Sequence, residues 1–128
     1  MDNHVIQILD MEKNDIGDDG ITAIATALTN SRIRKLWVVK CGITVTGARS
    51  IATLLSVNHH IQELWLLDNP MTKEGVHVIL QSALNNSDSQ VDISIDREYY
   101  TDSEIKTTKN ILMRRRWGME THEVGYVM

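Results

Sequence analysis

Eight positions of this chain recur in order three times. They are Ile6, Leu9, Met11, Asn14, Ile16, Gly20, Ile24 and Leu28, then Ile33, Leu36, Val38, Cys41, Ile43, Gly47, Ile51 and Leu55, displaced by 27 residues. A third set, Ile61, Leu64, Leu66, Asn69, Met71, Gly75, Ile79 and Ala83, follows after a further 28. A fixed period of this length is the mark of a solenoid, in which each unit packs only on its neighbours.

Inside each copy the apolar spacing changes, and with it the local structure. Leu36 and Val38 are two apart, as are Leu64 and Leu66, so each pair faces one side of a short strand. Ala48, Ile51, Ala52 and Leu55, like Val76, Ile79, Leu80 and Ala83, are spaced three and four apart and mark one helical face. Strands are expected over Ile8 to Met11, Leu36 to Val38, Leu64 to Leu66 and Asp92 to Ile95, with helices near 18–29, 46–56, 74–84 and 102–116. Thr44 and Thr72 stand where a side-chain oxygen would cap a helix start, and Asp18 can do so in the first copy. The chain therefore reads as α/β, a right-handed superhelix of about 3.5 strand-helix repeats with parallel strands on its concave face. A doubly wound α/β sheet is the rival, because Leu36 to Val39 and Leu64 to Leu67 are continuously apolar. The near-constant repeat length and the recurring Asn or Cys oppose it.

Leu36-x-Val38-x-x-Cys41 and Leu64-x-Leu66-x-x-Asn69, each followed by a glycine and a helix, resemble ribonuclease-inhibitor-like leucine-rich repeats. The resemblance covers about residues 5 to 97. It implies parallel strands on a concave face and helices on the convex one, as in the sensing end of NACHT-type immune receptors. An innate-immune setting is thus suggested, although nothing here resembles the nucleotide-binding part of those receptors. Related repeats occur in the activator of the Ran GTPase and in tropomodulin, so the fold alone selects no partner. Asn14, Cys41 and Asn69 fall where the chain leaves the strand; an amide there can donate and accept between successive turns, and cysteine is the small buried alternative.

The expected organisation is a repeat domain over 1–117, with repeats about 6–32, 33–60 and 61–89, a degenerate capping repeat over 90–117, and a tail over 118–128. Val91, Ile93 and Ile95 alternate as a last strand, but no glycine follows at the earlier spacing. The first strand has no cap before it, so either the chain is a piece of a longer solenoid or another chain covers that edge.

Cys41 is the single cysteine, which suits a reducing, cytoplasmic setting and excludes a multi-thiolate zinc site. The net charge of −4 disfavours a nucleic-acid partner, and no apolar run is long enough to span a membrane. The His59-His60 pair has no second cluster at ligand spacing, the acidic first repeat misses calcium-loop spacing, and Arg114-Arg115-Arg116 suits the end of a helix. No catalytic constellation is recognisable, and neither a cofactor nor a metal is expected.

Binding is expected on the concave face. If Leu36 and Val38 point inward, Trp37 and Val39 point outward, as do Trp65 and Leu67. Asp10 and Glu12 flank them on one side, with Ser94, Asp96 and Arg97 on the other. An apolar centre within a polar rim is the anatomy of a protein-binding site. The expected activity is protein binding without catalysis; a regulator of a GTPase or other enzyme, acting by surface binding, is the alternative. The tryptophans would also serve self-association, as would the uncapped edge, and the tail near Tyr126 could cover them.

Overall fold

The computed structural model describes residues 7–118. Four strands alternate with four helices: β1 (Ile8–Asp10), α1 (Gly17–Ala27), β2 (Lys35–Trp37), α2 (Val45–Val57), β3 (Glu63–Trp65), α3 (Thr72–Asn85), β4 (Asp92–Ser94) and α4 (Ser103–Trp117). The strands form one parallel sheet in the order β1-β2-β3-β4, with Leu9, Leu36, Leu64 and Ile93 in register. Successive helices pack on one another in the same order. Sequential order and a sheet with one buried and one partly exposed face settle the architecture as a leucine-rich-repeat solenoid and exclude the doubly wound alternative.

The core lies between sheet and helices. Ile33, Leu36 and Val38 from the second copy stack on Ile61, Leu64 and Leu66 from the third, and on Val91, Ile93 and Ile95 beyond them. The helical sides Ile51 and Leu55, and Ile79 and Leu80, close it from behind. In the first copy Leu9, Met11, Ile16, Ile24 and Leu28 are only partly buried, because among the described residues one neighbour alone packs against them. Gly47 and Gly75 explain the recurring glycine: a Cβ on Gly75 would lie 3.1 Å from Ala48 Cβ, and one on Gly47 would press into Ile21, Ile43 and the Asp18 carboxylate. The helices approach too closely for a side chain there.

β2 and β3 are paired one residue earlier than their apolar pattern suggests, while β1 and β4 start as expected and end one residue sooner. The residue after β2 and after β3 still donates across the sheet, Val38 N–H to Trp65 O at 2.9 Å and Leu66 N–H to Ser94 O at 2.9 Å, so the inward pair spans the strand and its exit. The chain then turns through left-handed backbone at Lys13, Lys40 and Asp68 (φ 64°, 55° and 61°).

Two of the three expected caps are corrected. Thr44 does cap α2, accepting from Thr46 N–H at 3.3 Å. Thr72 caps nothing: it is the first residue of α3, at φ 63°, and no side chain bonds the helix start at Met71. Asp18 lies inside α1 and reaches into the next copy, accepting from Thr44 N–H (2.8 Å), from the Thr44 hydroxyl and from Gly47 N–H (3.0 Å).

The asparagine ladder is likewise partial. Buried Asn69 accepts from Cys41 N–H (2.9 Å) and Ile43 N–H (3.2 Å) and donates to the Val38, Leu66 and Leu67 carbonyls. The Cys41 thiol lies 3.0 Å from Met11 O, linking the second copy to the first. Asn14 is exposed and donates only to Met11 O and Glu12 O, both in its own turn. No described copy precedes it to be bridged.

A short 3₁₀ turn, Arg97–Thr101, precedes α4 and buries Tyr99 and Tyr100 in place of a regular loop. The Asp102 side chain starts α4, accepting from Glu104 N–H and Ile105 N–H. Arg115 crosses from α4 to donate to the Ala83, Leu84, Asn86 and Ser89 carbonyls, and Arg116 donates to Gln90 O. These guanidiniums satisfy backbone oxygens at the end of the third copy. The expected tail beyond residue 118, with Tyr126, lies outside the described residues, as do residues 1–6.

Candidate binding face on the strands

Register places the candidate residues in two rows. Asp10, Trp37, Trp65 and Ser94 are mutually paired across the four strands. Two residues further along each copy stand Glu12, Val39, Leu67 and Asp96. Leu36, Val38, Leu64 and Leu66 are wholly buried, whereas Trp37, Val39, Trp65 and Leu67 retain partial exposure, as alternation on a strand requires. Asp10 and Glu12 are exposed at one flank; Ser94 and Asp96 are half-buried at the other.

The two indoles form one surface. Their centroids are 4.2 Å apart and the planes differ by 10°. Adjacent strands stand about 4.8 Å apart, so identical in-register rings on the same face are brought to stacking distance by the sheet itself. The Trp37 indole N–H is enclosed and meets no acceptor among the described residues.

The flanks have structural duties too. Asp10 Oδ1 accepts from Glu12 N–H at 2.9 Å, fixing the exit of β1. Both Asp96 carboxylate oxygens accept from Asp68 N–H, each at 3.1 Å, where the earlier copies use a carbonyl of the next turn. Asp96 thereby ends the ladder.

Beside Leu67 and Ser94 a hollow of about 340 Å³ opens toward α4, with Tyr100, Lys109 and Met113 on its far wall. Lys109 is buried, its Nζ 3.1 Å from Asp92 Oδ1. Burial lowers the ammonium pKa and the Asp92 carboxylate partly restores it. Burial also pushes the Tyr100 phenol up to about 12, with Asp92 adding to the effect. Sequence reading missed this wall because Tyr100, Lys109 and Met113 lie in the segment where the repeat pattern fails.

Cys41 faces the interior. Burial raises its thiol pKa, so the sulfur is held as the unreactive acid. Among the described residues no group of three or more His, Cys, Asp or Glu side chains could hold a metal ion, and no helix is long and apolar enough to cross a membrane.

Comparison with known proteins agrees with this geometry. The Leucine Rich repeat family matches residues 2–25. A Bos taurus protein, NACHT, LRR and PYD domains-containing protein 3, is 31% identical over 85 residues, covering 65% of this chain and 8% of the relative. The human NACHT, LRR and PYD domains-containing protein 12 is 32% identical over 79 residues, 60% of this chain and 7% of that one. Ribonuclease inhibitor from Sus scrofa is 33% identical over 78 residues, 59% of this chain and 17% of its own. The chain thus matches less than a fifth of the length of each. The repeat, the sequential parallel sheet and these similarities together support a place for the chain in the ribonuclease-inhibitor-like leucine-rich-repeat family.

Proposed function

We propose that this chain is a protein-binding module without catalytic activity, working in the cytoplasm, that receives its partner on the strand face around Trp37 and Trp65. The observation that carries the reading is the stacked indole pair, partly exposed among the described residues on the strand face. With Val39 and Leu67 it forms a contiguous, partly exposed apolar patch on the strand face, the kind of surface that marks an interaction site. Asp10 and Glu12 on one flank, and Ser94 and Asp96 on the other, form the polar rim that surrounds such a centre in protein interfaces. Residues 1–117 would act as the module and 118–128 as its tail.

The similarity to ribonuclease inhibitor, whose name describes action on an enzyme, favours a second reading in which the partner is itself an enzyme and binding alters its turnover. Both readings use the same face. The test is to capture a partner with the full chain, purify it, and titrate it calorimetrically against the wild type, Trp37→Ala and Trp65→Ala. Loss of affinity in both variants supports the face; unchanged affinity removes it.

A further inference from the structure

A second site lies at the other end of the strands, where the chain enters them. Gln7, Arg32, Arg34, His59, His60 and Gln62 line a cleft of about 400 Å³. Among the described residues no carboxylate lines it, in a chain of net charge −4. Glu63, which follows Gln62, is held by Lys35 at 3.1 Å.

The concentration of donors follows from the repeat. Pairing of Ile8, Lys35 and Glu63 puts Gln7, Arg34 and Gln62 side by side, each one residue before the ladder. Arg32 and His60 occupy equivalent places three residues before Lys35 and Glu63. The His59 and His60 rings lie 4.3 Å apart, inclined by 34°.

The two loops are fastened to each other by one buried residue. Asn58 donates to Leu28 O (3.0 Å) and Ser31 O (2.9 Å), in the loop leading to Arg32. Its Oδ1 accepts from His60 N–H (2.8 Å) and Ile61 N–H (3.2 Å) in the other. The cations are therefore carried on prepositioned backbone, which lowers the ordering cost of binding.

We infer that this cleft is an anion site for a phosphate group, held by the Arg32 and Arg34 guanidiniums with the His59 and His60 N–H groups and the Gln7 and Gln62 amides as further donors. Planar guanidiniums match phosphate oxygens bidentately, and several donors around one cleft suit an ion with three terminal oxygens better than a carboxylate with two. A nucleic-acid backbone would need a longer basic track than one cleft. The site is separate from the tryptophan face and does not depend on it.

The test uses the full chain, with backbone and side-chain resonances followed by NMR during titration with inorganic phosphate, a phosphoserine hexapeptide, its glutamate counterpart, acetate and a short RNA. The expected result is saturable shifts at Arg32, Arg34, His59 and His60 with inorganic phosphate or the phosphopeptide, the tighter of the two identifying the source. The glutamate peptide and acetate should bind at least tenfold more weakly. An Arg32→Gln/Arg34→Gln double variant and a His59→Gln/His60→Gln variant, each with unchanged circular dichroism, should lose at least tenfold and threefold respectively, while Trp37→Ala loses nothing. The inference is overturned by no saturable shift, by undiminished binding in the arginine variant, by carboxylates binding equally well, or by a short RNA binding with shifts spread beyond the cleft.

Discussion

The carboxylate of Asp18, in α1, accepts hydrogen bonds from the amide and the hydroxyl of Thr44, at the start of α2. It accepts a third from Gly47 N–H. One repeat thus supplies the anion that satisfies free N–H groups at the next helix, where the helix dipole also favours negative charge. Asp18→Ala should destabilise the fold by about 1–2 kcal/mol, the range for losing a helix cap, as read by urea unfolding.

The same contact makes stability pH-dependent with a defined sign. Burial opposes ionisation of Asp18, but the Thr44 and Gly47 hydrogen bonds prevail and hold its pKa below the ordinary 3.8. A carboxyl with a depressed folded pKa contributes stability that is present above the unfolded value and lost as pH falls through the folded one. The gap in unfolding free energy between wild type and Asp18→Asn should therefore be largest near neutrality and narrow below about pH 4. A gap that widens on acidification would contradict the assignment.

Asn69 and Asn14 occupy the same place in the repeat but should differ in weight. Removing the Asn69 amide leaves the buried Cys41 and Ile43 N–H groups without their acceptor. At about 1–3 kcal/mol for each unsatisfied buried group, Asn69→Ala should cost roughly 3 kcal/mol or more. Asn14→Ala, which loses only exposed contacts within one turn, should cost less than about 1 kcal/mol. Chemical denaturation of both variants checks the contrast.

The Lys109 and Asp92 pair should respond unequally to replacement. Lys109 is buried while Asp92 is partly exposed. Lys109→Met removes a desolvated ammonium and keeps its volume, so the midpoint of thermal unfolding should hold or rise. Asp92→Ala leaves that ammonium unpaired and should lower the midpoint. A fall in both variants of similar size would mean the pair is net stabilising.

Much of this fold was legible because its repeat is strict where the core is. Leu36, Val38, Ile51 and Leu55, with their counterparts, predicted the strand and helix faces; Gly47 and Gly75 recurred visibly, but only the packing shows that helices touch there. Register also put Trp37 beside Trp65. Other features rest on contacts that cross copies and leave no period-two or helical trace. Asp18 looked like a cap for its own helix, since spacing cannot show that its carboxylate reaches 26 residues ahead to Thr44. A signal for the second asparagine ladder was present, because Asn30, Asn58 and Asn86 recur every 28 residues. Asn58 and Asn86 both donate to carbonyls of the preceding copy. The Tyr99 and Tyr100 turn had no such signal, since the pattern degrades after Asn86 and tertiary packing decides the backbone there.

The strand face is tested most directly by measuring binding and stability on the same tryptophan variants. With a purified partner, Trp37→Ala and Trp65→Ala should each weaken binding by about 2 kcal/mol or more, the scale of an interface hot spot. Each indole is largely buried, so its removal should also cost the fold on the order of 2–4 kcal/mol from lost buried area and stacking. Calorimetric titration and thermal unfolding on matched samples give both numbers. The account predicts a large loss of affinity with the fold retained; variants that unfold while their folded fraction binds like wild type would show the indoles to be core and contradict it.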